Sequence, residues 1–231
     1  MTYTGEVTPG GPSDVRTLPD VVIRKVSVGE MDNNCYLLTC RTTGAQLLVD
    51  AATDAERLLE LVEEGVRDGF PEGIERGETG LTMLVTTHRH FDHTRALAEV
   101  LAATGARSAA GREDADHLPV KADIRLRGGD TLEVGDLRLS VIHLRGHTPG
   151  SVALVLHGAD GSAHAFTGDS LFPGGPGKTT SPADFTSLMG DLEERIFLPL
   201  PDSTWVYPGH GSDTTIGAER PHLGEWRRRG W

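Results

Sequence analysis

The sequence predicts an α+β fold in which two β-sheets pack face to face with helices on the outside. Three observations carry that expectation. Short apolar runs of strand length recur along the chain, segments of helical period are interspersed among them, and the pattern falls into two comparable halves. With 231 residues, 37% hydrophobic and 24% charged, the chain can bury a substantial core, and with no internal repeat or linker it reads as one domain, residues 1–231.

The opening "MTYTGEVTPGGPSDVRTLPD" has no positive n-region and no apolar h-region, so no signal peptide is read; residues 1–19 are expected as a loose arm. "VVIRKVSVG", "NCYLLTC" and "AQLLVD" read as three early strands. "DAERLLELVEEGVRDG" places Leu58, Leu61, Val62 and Val66 at helical spacing, with a stop at Gly69. After the Gly-rich "PEGIERGETG" loop come the buried-type strand "LTMLVTT" and the helix "TRALAEVLAATG". In the second half "TLEVGDLRLSVIHL" predicts a hairpin turning at Gly135-Asp136, and "SVALVLHG" pairs with "SAHAFTG" around "ADG". "PADFTSLMGDLEERIF" is a helix with Pro182 near its start, and "STWVYPG" is the last strand.

A formal charge of −12 argues against a nucleic-acid binder, because there is no broad basic excess to displace counterions. The terminal "WRRRGW" is a small basic patch, read as a solvated tail or subunit contact. Apolar runs such as "VALVL" are far too short to cross a membrane. Cys35 and Cys40 are the only cysteines; their odd spacing on one strand points them to opposite faces, so no disulfide framework or thiolate site is implied. The cytoplasm is the expected compartment.

Four strands end in a turn followed by a metal-competent side chain: His88, His147, Asp169 and His210. Around the first of these, "VTTHRHFDHT" adds His90, Asp92 and His93. Binding residues are commonly carried on loops at one edge of a rigid sheet. Five imidazoles and two carboxylates are too many for one ion; they suit two ions that share a bridging carboxylate, with a hydroxide completing the bridge. His88 and His90 lean the same way in extended backbone, and Asp92 and His93 sit at the mouth of the next helix. Nitrogen and oxygen donors without thiolate suit Zn, Fe or Mn. His117, His157, His164 and His222 are isolated and receive no role, and His143, inside a strand, is read as packing.

"THRHFDH", "GHTPGS", "TGDSLF" and "YPGHG" together resemble the metallo-β-lactamase superfamily over roughly residues 20 to 215. The resemblance implies a four-layer αβ/βα sandwich of two mixed sheets with a dinuclear site at one edge. It implies that His88, His90 and His147 hold one divalent ion, that Asp92, His93 and His210 hold the other, and that Asp169 bridges. Asp92 and Asp169 then count as catalytic as well as ligating. A bridging Asp169 disfavours a true β-lactamase, and "GDSLFPGGPGK" with "PGHGSDTTIGAER" looks most similar to the glyoxalase II (hydroxyacylglutathione hydrolase) branch. What that implies is hydrolysis of a small-molecule thioester or ester by a metal-bridging hydroxide, with Lys178 holding an anionic part of the substrate. Two departures put glutathione as the carrier in doubt: the sequence has only 21 residues after His210 where that branch has a helical domain, and Thr180 and Ser212 fall where its two glutathione-contacting tyrosines are expected. Two rival readings remain: a single-iron persulfide dioxygenase using His88, His147 and Asp169, and a hydrolase of another ester or lactone.

Overall fold

The computed structural model describes residues 2–68 and 80–230. The first half of the chain lays down one sheet in sequence order. Strands β1 (Asp14–Thr17), β2 (Val21–Val28), β3 (Asn33–Cys40) and β4 (Ala45–Val49) are antiparallel neighbours. Strands β5 (Gly80–Thr86), β6 (Arg107–Gly111) and β7 (Ile124–Leu126) then add in parallel beyond β4. Helix α1 (Ala55–Asp68) lies between β4 and β5, and α2 (Leu97–Thr104) between β5 and β6, as parallel connections require.

The second half builds β8 (Thr131–Val134), β9 (Leu137–His143), β10 (Val152–His157) and β11 (Ala163–Gly168), then a small hairpin, β12 (Leu171–Phe172) with β13 (Gly175–Pro176). Helix α3 (Pro182–Leu192) precedes β14 (Trp205–Pro208), β15 (Thr214–Thr215), α4 (Ile216–Glu219) and α5 (Leu223–Arg229). The second sheet runs β15-β14-β11-β10-β9-β8. All its pairs are antiparallel except β11 with β14, so both sheets are mixed.

Strand alternation explains the layers. Along β2, Val21 and Ile23 enter the core between the sheets, whereas Val26 and Val28 join the helix-covered cluster. Tyr36, Leu38, Val49 and Val85 of the first sheet meet Leu139, Leu154, Phe166 and Tyr207 of the second in that central core. Leu58, Leu61 and Leu97 of the outer helices cover the other face of the first sheet, and Phe185, Leu188, Met189 and Trp226 cover that of the second. Each fully buried side chain of this kind contributes about 1.5–3 kcal/mol. The order of layers is therefore helix, sheet, sheet, helix. The two cysteines are free and face opposite ways, Cys35 toward the helices and Cys40 between the sheets.

Two terminal expectations are corrected. The arm expected to be loose is tied down: β1 pairs with β2, Asp14 accepts hydrogen bonds from Thr4 and Gly5, and Tyr3 packs against the central core. The cause is the aromatic ring of Tyr3, which finds an edge-to-face partner in Trp205. "WRRRGW" is not a solvated tail, because α5 docks through the fully buried Trp226 while Arg227 pairs with Glu193. The "PEGIERGETG" loop and the stop at Gly69 lie outside the described residues, apart from Gly80, which begins β5. The last predicted helix ends earlier than its apolar pattern, with a wider π-type turn at Glu193–Phe197 closed by Leu198 N–H to the Glu193 carbonyl.

Candidate metal centre

Each strand end delivers one piece of the site. Beyond β5, a bend carries His88, extended backbone carries His90, and a single tight turn at Phe91–His93 swings Asp92 and His93 inward. The bend after β9 supplies His147, the end of β11 supplies Asp169, and the end of β14 supplies His210. Three groups of donors result: His88, His90 and His147; Asp92, His93 and His210; and His88, His93 and Asp169. Within each group all ligand atoms lie within 4.8 Å of one another.

Asp169 stands between the two histidine sets. Its Oδ2 is 3.5 Å from His147 Nε2, 3.9 Å from His88 Nε2 and 3.5 Å from His210 Nε2. Its Oδ1 is 3.4 Å from His93 Nε2, is buried, and makes no hydrogen bond. An orphaned buried carboxylate oxygen is costly unless something positive meets it. Imidazoles crowd in the same way: His88 and His147 Nε2 atoms are 3.3 Å apart, and those of His93 and His210 are 3.1 Å apart. Lone-pair donors converging at this spacing suit a cation rather than one another, so the residues fit divalent metal.

The far nitrogens explain why the rings point inward. His147 Nδ1–H donates to the Lys178 carbonyl and His210 Nδ1–H to the Met31 carbonyl, each at 2.7 Å. His93 Nδ1–H donates to Asp50 Oδ2 at 2.9 Å. His88 Nδ1 faces Thr87 Oγ1 at 3.1 Å; because that hydroxyl donates to Asp50, it accepts from His88. Such partners fix the tautomer and leave Nε2 free to ligate. Close approach also matters: a Cβ at Gly209 would lie 2.1 Å from Asp169 Oδ1, so only glycine can precede His210.

Burial lowers the pKa of His88 and of His147, holding both in the neutral, ligating form. Burial opposes charge on His93 too, but the Asp50 and Asp169 carboxylates outweigh it and raise His93 to about 10. Asp169 raises His210 in the same sense against its burial. Burial raises the Asp169 carboxyl, but the His210, His93 and His88 rings around it outweigh that and hold it well below the usual carboxylate range.

All seven donors read from the sequence are thus brought together. Lys178 is exposed; its carbonyl buttresses His147, and among the described residues its ammonium has no partner. Thr180 caps toward Asp184 at the start of α3, and Ser212 is exposed one residue past Gly211. His143 donates to the Pro149 carbonyl, and His164 bridges Ser162 and Tyr207 away from the centre. Sequence reasoning missed four residues. Asp50 follows "AQLLVD", so the rule of strand end then donor would have found it. Asn33 donates to Asp92 Oδ2 at 2.9 Å, buried Asp114 joins Arg89 N–H to Gly150 N–H, and Asp191 holds Arg145. Nothing local in the sequence marks these three.

Comparison with known proteins agrees with this geometry. Residues 28–210 match the Metallo-beta-lactamase superfamily. The chain is 36% identical over 181 residues to a hydroxyacylglutathione hydrolase of Fuscovulum blasticum, covering 78% of this chain and 62% of that one. It is 30% identical over 217 residues to the hydroxyacylglutathione hydrolase GloC of Haemophilus influenzae, covering 86% and 94% respectively. The crystal structure of ETHE1 from Myxococcus xanthus superposes with a TM-score of 0.71 at 28% identity, covering 87% of this chain and 82% of that one. With a superfamily match that spans most of the chain and encloses all seven donors, the chain belongs to the metallo-β-lactamase superfamily.

Proposed function

We propose that the protein is a dinuclear metal-dependent hydrolase of small-molecule thioesters, of glyoxalase II type. The observation that supports this reading is Asp169, whose carboxylate lies between both histidine sets: Oδ2 is 3.5 Å from His147 of one set and 3.5 Å from His210 of the other, and Oδ1 is 3.4 Å from His93. A single-iron dioxygenase using His88, His147 and Asp169 would leave the second converging set, Asp92, His93 and His210, without an ion. Two divalent ions, Zn with Fe or Mn as alternatives, would supply a hydroxide nucleophile at neutral pH and polarise the carbonyl. The chain's own residues do the positioning. His88, His90 and His147 would hold one ion and Asp92, His93 and His210 the other, with Asp169 placed between the two sets. Asn33 fixes the carboxylate of Asp92. Lys178, exposed beside His147, binds an anionic part of the substrate.

The matched relatives named hydroxyacylglutathione hydrolase support a hydroxyacyl thioester. GloC, matched over 94% of its length, carries that name without requiring a much longer chain. Thr180 and Ser212 in place of tyrosine argue for loose selection of the carrier. The expected preference for a glutathione thioester over a small neutral one of the same acyl group is below about 100-fold in kcat/KM, about 2.7 kcal/mol. No helix among the described residues is long and apolar enough to cross a membrane, and the cytoplasm is the compartment we propose. Metal analysis combined with an oxygen electrode tests the function: two ions, thioester turnover and no oxygen uptake are expected. One iron with oxygen uptake would replace this reading with the dioxygenase. Lys178→Ala should raise KM by about 1–3 kcal/mol equivalent for an anionic thioester, less at high salt, with metal content unchanged.

A further inference from the structure

The ammonium of Lys25 is buried between the sheets and fully inaccessible. It donates to three oxygens: the Gly5 carbonyl at 2.6 Å, the Gly211 carbonyl at 2.7 Å and Asp213 Oδ1 at 2.7 Å. Asp213, whose side chain is 1% exposed, accepts at Oδ2 from Tyr3 O–H at 2.6 Å and from Trp205 Nε1–H at 2.8 Å. Gly5 is obligatory here, with φ +78° and a position where a Cβ would sit 2.6 Å from Asp213 Oδ2. The Arg16 guanidinium stacks over Tyr3 and Trp205, with its carbon 4.4 and 3.9 Å from the ring centroids. Three parts of the chain far apart in sequence therefore meet at one buried charge pair: the N-terminal segment, β2 and the turn that follows His210.

A buried ion pair is a poor source of stability, because desolvation cancels much of the attraction, but it fixes geometry tightly. What it fixes here is the backbone one and three residues beyond a metal donor. Gly211 O also accepts from Asn34 Nδ2, and Gly209 is held on both sides, by Asn34 N–H and the Gly168 carbonyl. The donors His88, His90 and His147 come from other loops, after β5 and β9.

We propose that Tyr3, Gly5, Lys25 and Asp213 form a positioning latch that fixes the His210 turn and so sets the affinity of the metal position made by Asp92, His93 and His210. The proposal rests on the two-ion reading above. The latch acts on one position only, which separates it from general stabilisation. The test is stepwise Zn2+ affinity of the chelator-stripped protein, measured by competition with a chromophoric chelator. Tyr3→Phe keeps the ring packed and removes only the hydroxyl; Asp213→Asn removes the charge at nearly constant volume. Both should weaken one of the two constants by about 10-fold or more, the scale on which residues supporting a metal ligand act, while leaving the other unchanged. Trp226→Ala, destabilising but remote from the turn, should lower the melting temperature without separating the two constants. A two-ion wild type whose Tyr3→Phe and Asp213→Asn variants lose both constants in step, or neither, overturns the latch alone. A wild type that takes up one ion overturns the two-ion reading and the latch together.

Discussion

At Asp169, one oxygen is shared among His88, His147 and His210 while the other has only His93 nearby. Asp169→Ala should therefore lower both metal occupancy and thioester turnover, whereas His222→Ala, on an exposed ring beside Glu225, should change neither. Elemental analysis alongside kinetics reads both. Asp50 makes a second prediction, because its carboxylate accepts from Thr87 N–H, the Thr87 hydroxyl and His93 Nδ1–H together. Asp50→Asn keeps the volume but turns an amide NH2 toward one of those donors, and metal affinity should fall about 10–100-fold by chelator competition. These residues also show where sequence stops being legible. His88, His90, Asp92 and His93 are close in the chain and announce themselves, and strand ends expose His147, Asp169 and His210. Asn33 and Asp191 approach only through tertiary packing, so their types and neighbours carry no trace of the role.

At the scale of elements, the bend that carries His147 is held from the second helical layer. Asp191 on α3 accepts from Arg145 N–H, Nε–H and Nη2–H, and Arg195 from the π-type turn donates to the His143 carbonyl. The wider turn thus places Arg195 where a continuing α-helix would not. Burial raises the Asp191 carboxyl, but these guanidinium and amide hydrogen bonds outweigh it and hold the pKa below the usual value. A depressed folded-state pKa contributes stability that is complete above the unfolded value, about 3.9, and disappears as pH falls through the lower folded value. Asp191→Asn should cost about 1–3 kcal/mol at neutral pH. That gap should close on acidification below about pH 4 in denaturant titrations. A gap that stayed constant with pH would mean the charge is not what holds the bend. Most of the longer elements were readable because apolar alternation and turn residues agree; β1, β6, β7, β12, β13, β15, α4 and α5 were not, being short and, in β6, Ala- and Gly-rich.

Over the whole molecule, the donors divide between the two sheets. His88, His90, Asp92 and His93 come from the first, and His147, Asp169 and His210 from the second. Bound ions would join the two sheet edges, so chelation should loosen the sandwich where its layers meet. With free metal at about 100 times its dissociation constant, the linkage amounts to about 2.7 kcal/mol, or roughly 5–10 °C in melting temperature for a chain of this size. Calorimetry before and after chelation measures it. The layer architecture was legible from two comparable halves; the docking of both termini was not, since one buried ring on each side, Tyr3 and Trp226, decides it. The division of donors also has a kinetic side. His210 leaves β14, which pairs in parallel with β11 only after α3 has crossed over, so a growing chain offers six donors well before the seventh. Metal present during refolding should leave the early phases unchanged and accelerate or stabilise only the last one, when β14 docks. A stopped-flow refolding series with and without Zn2+ would show whether ion capture is that final step, making a loaded centre a mark that the two sheet edges have closed on each other.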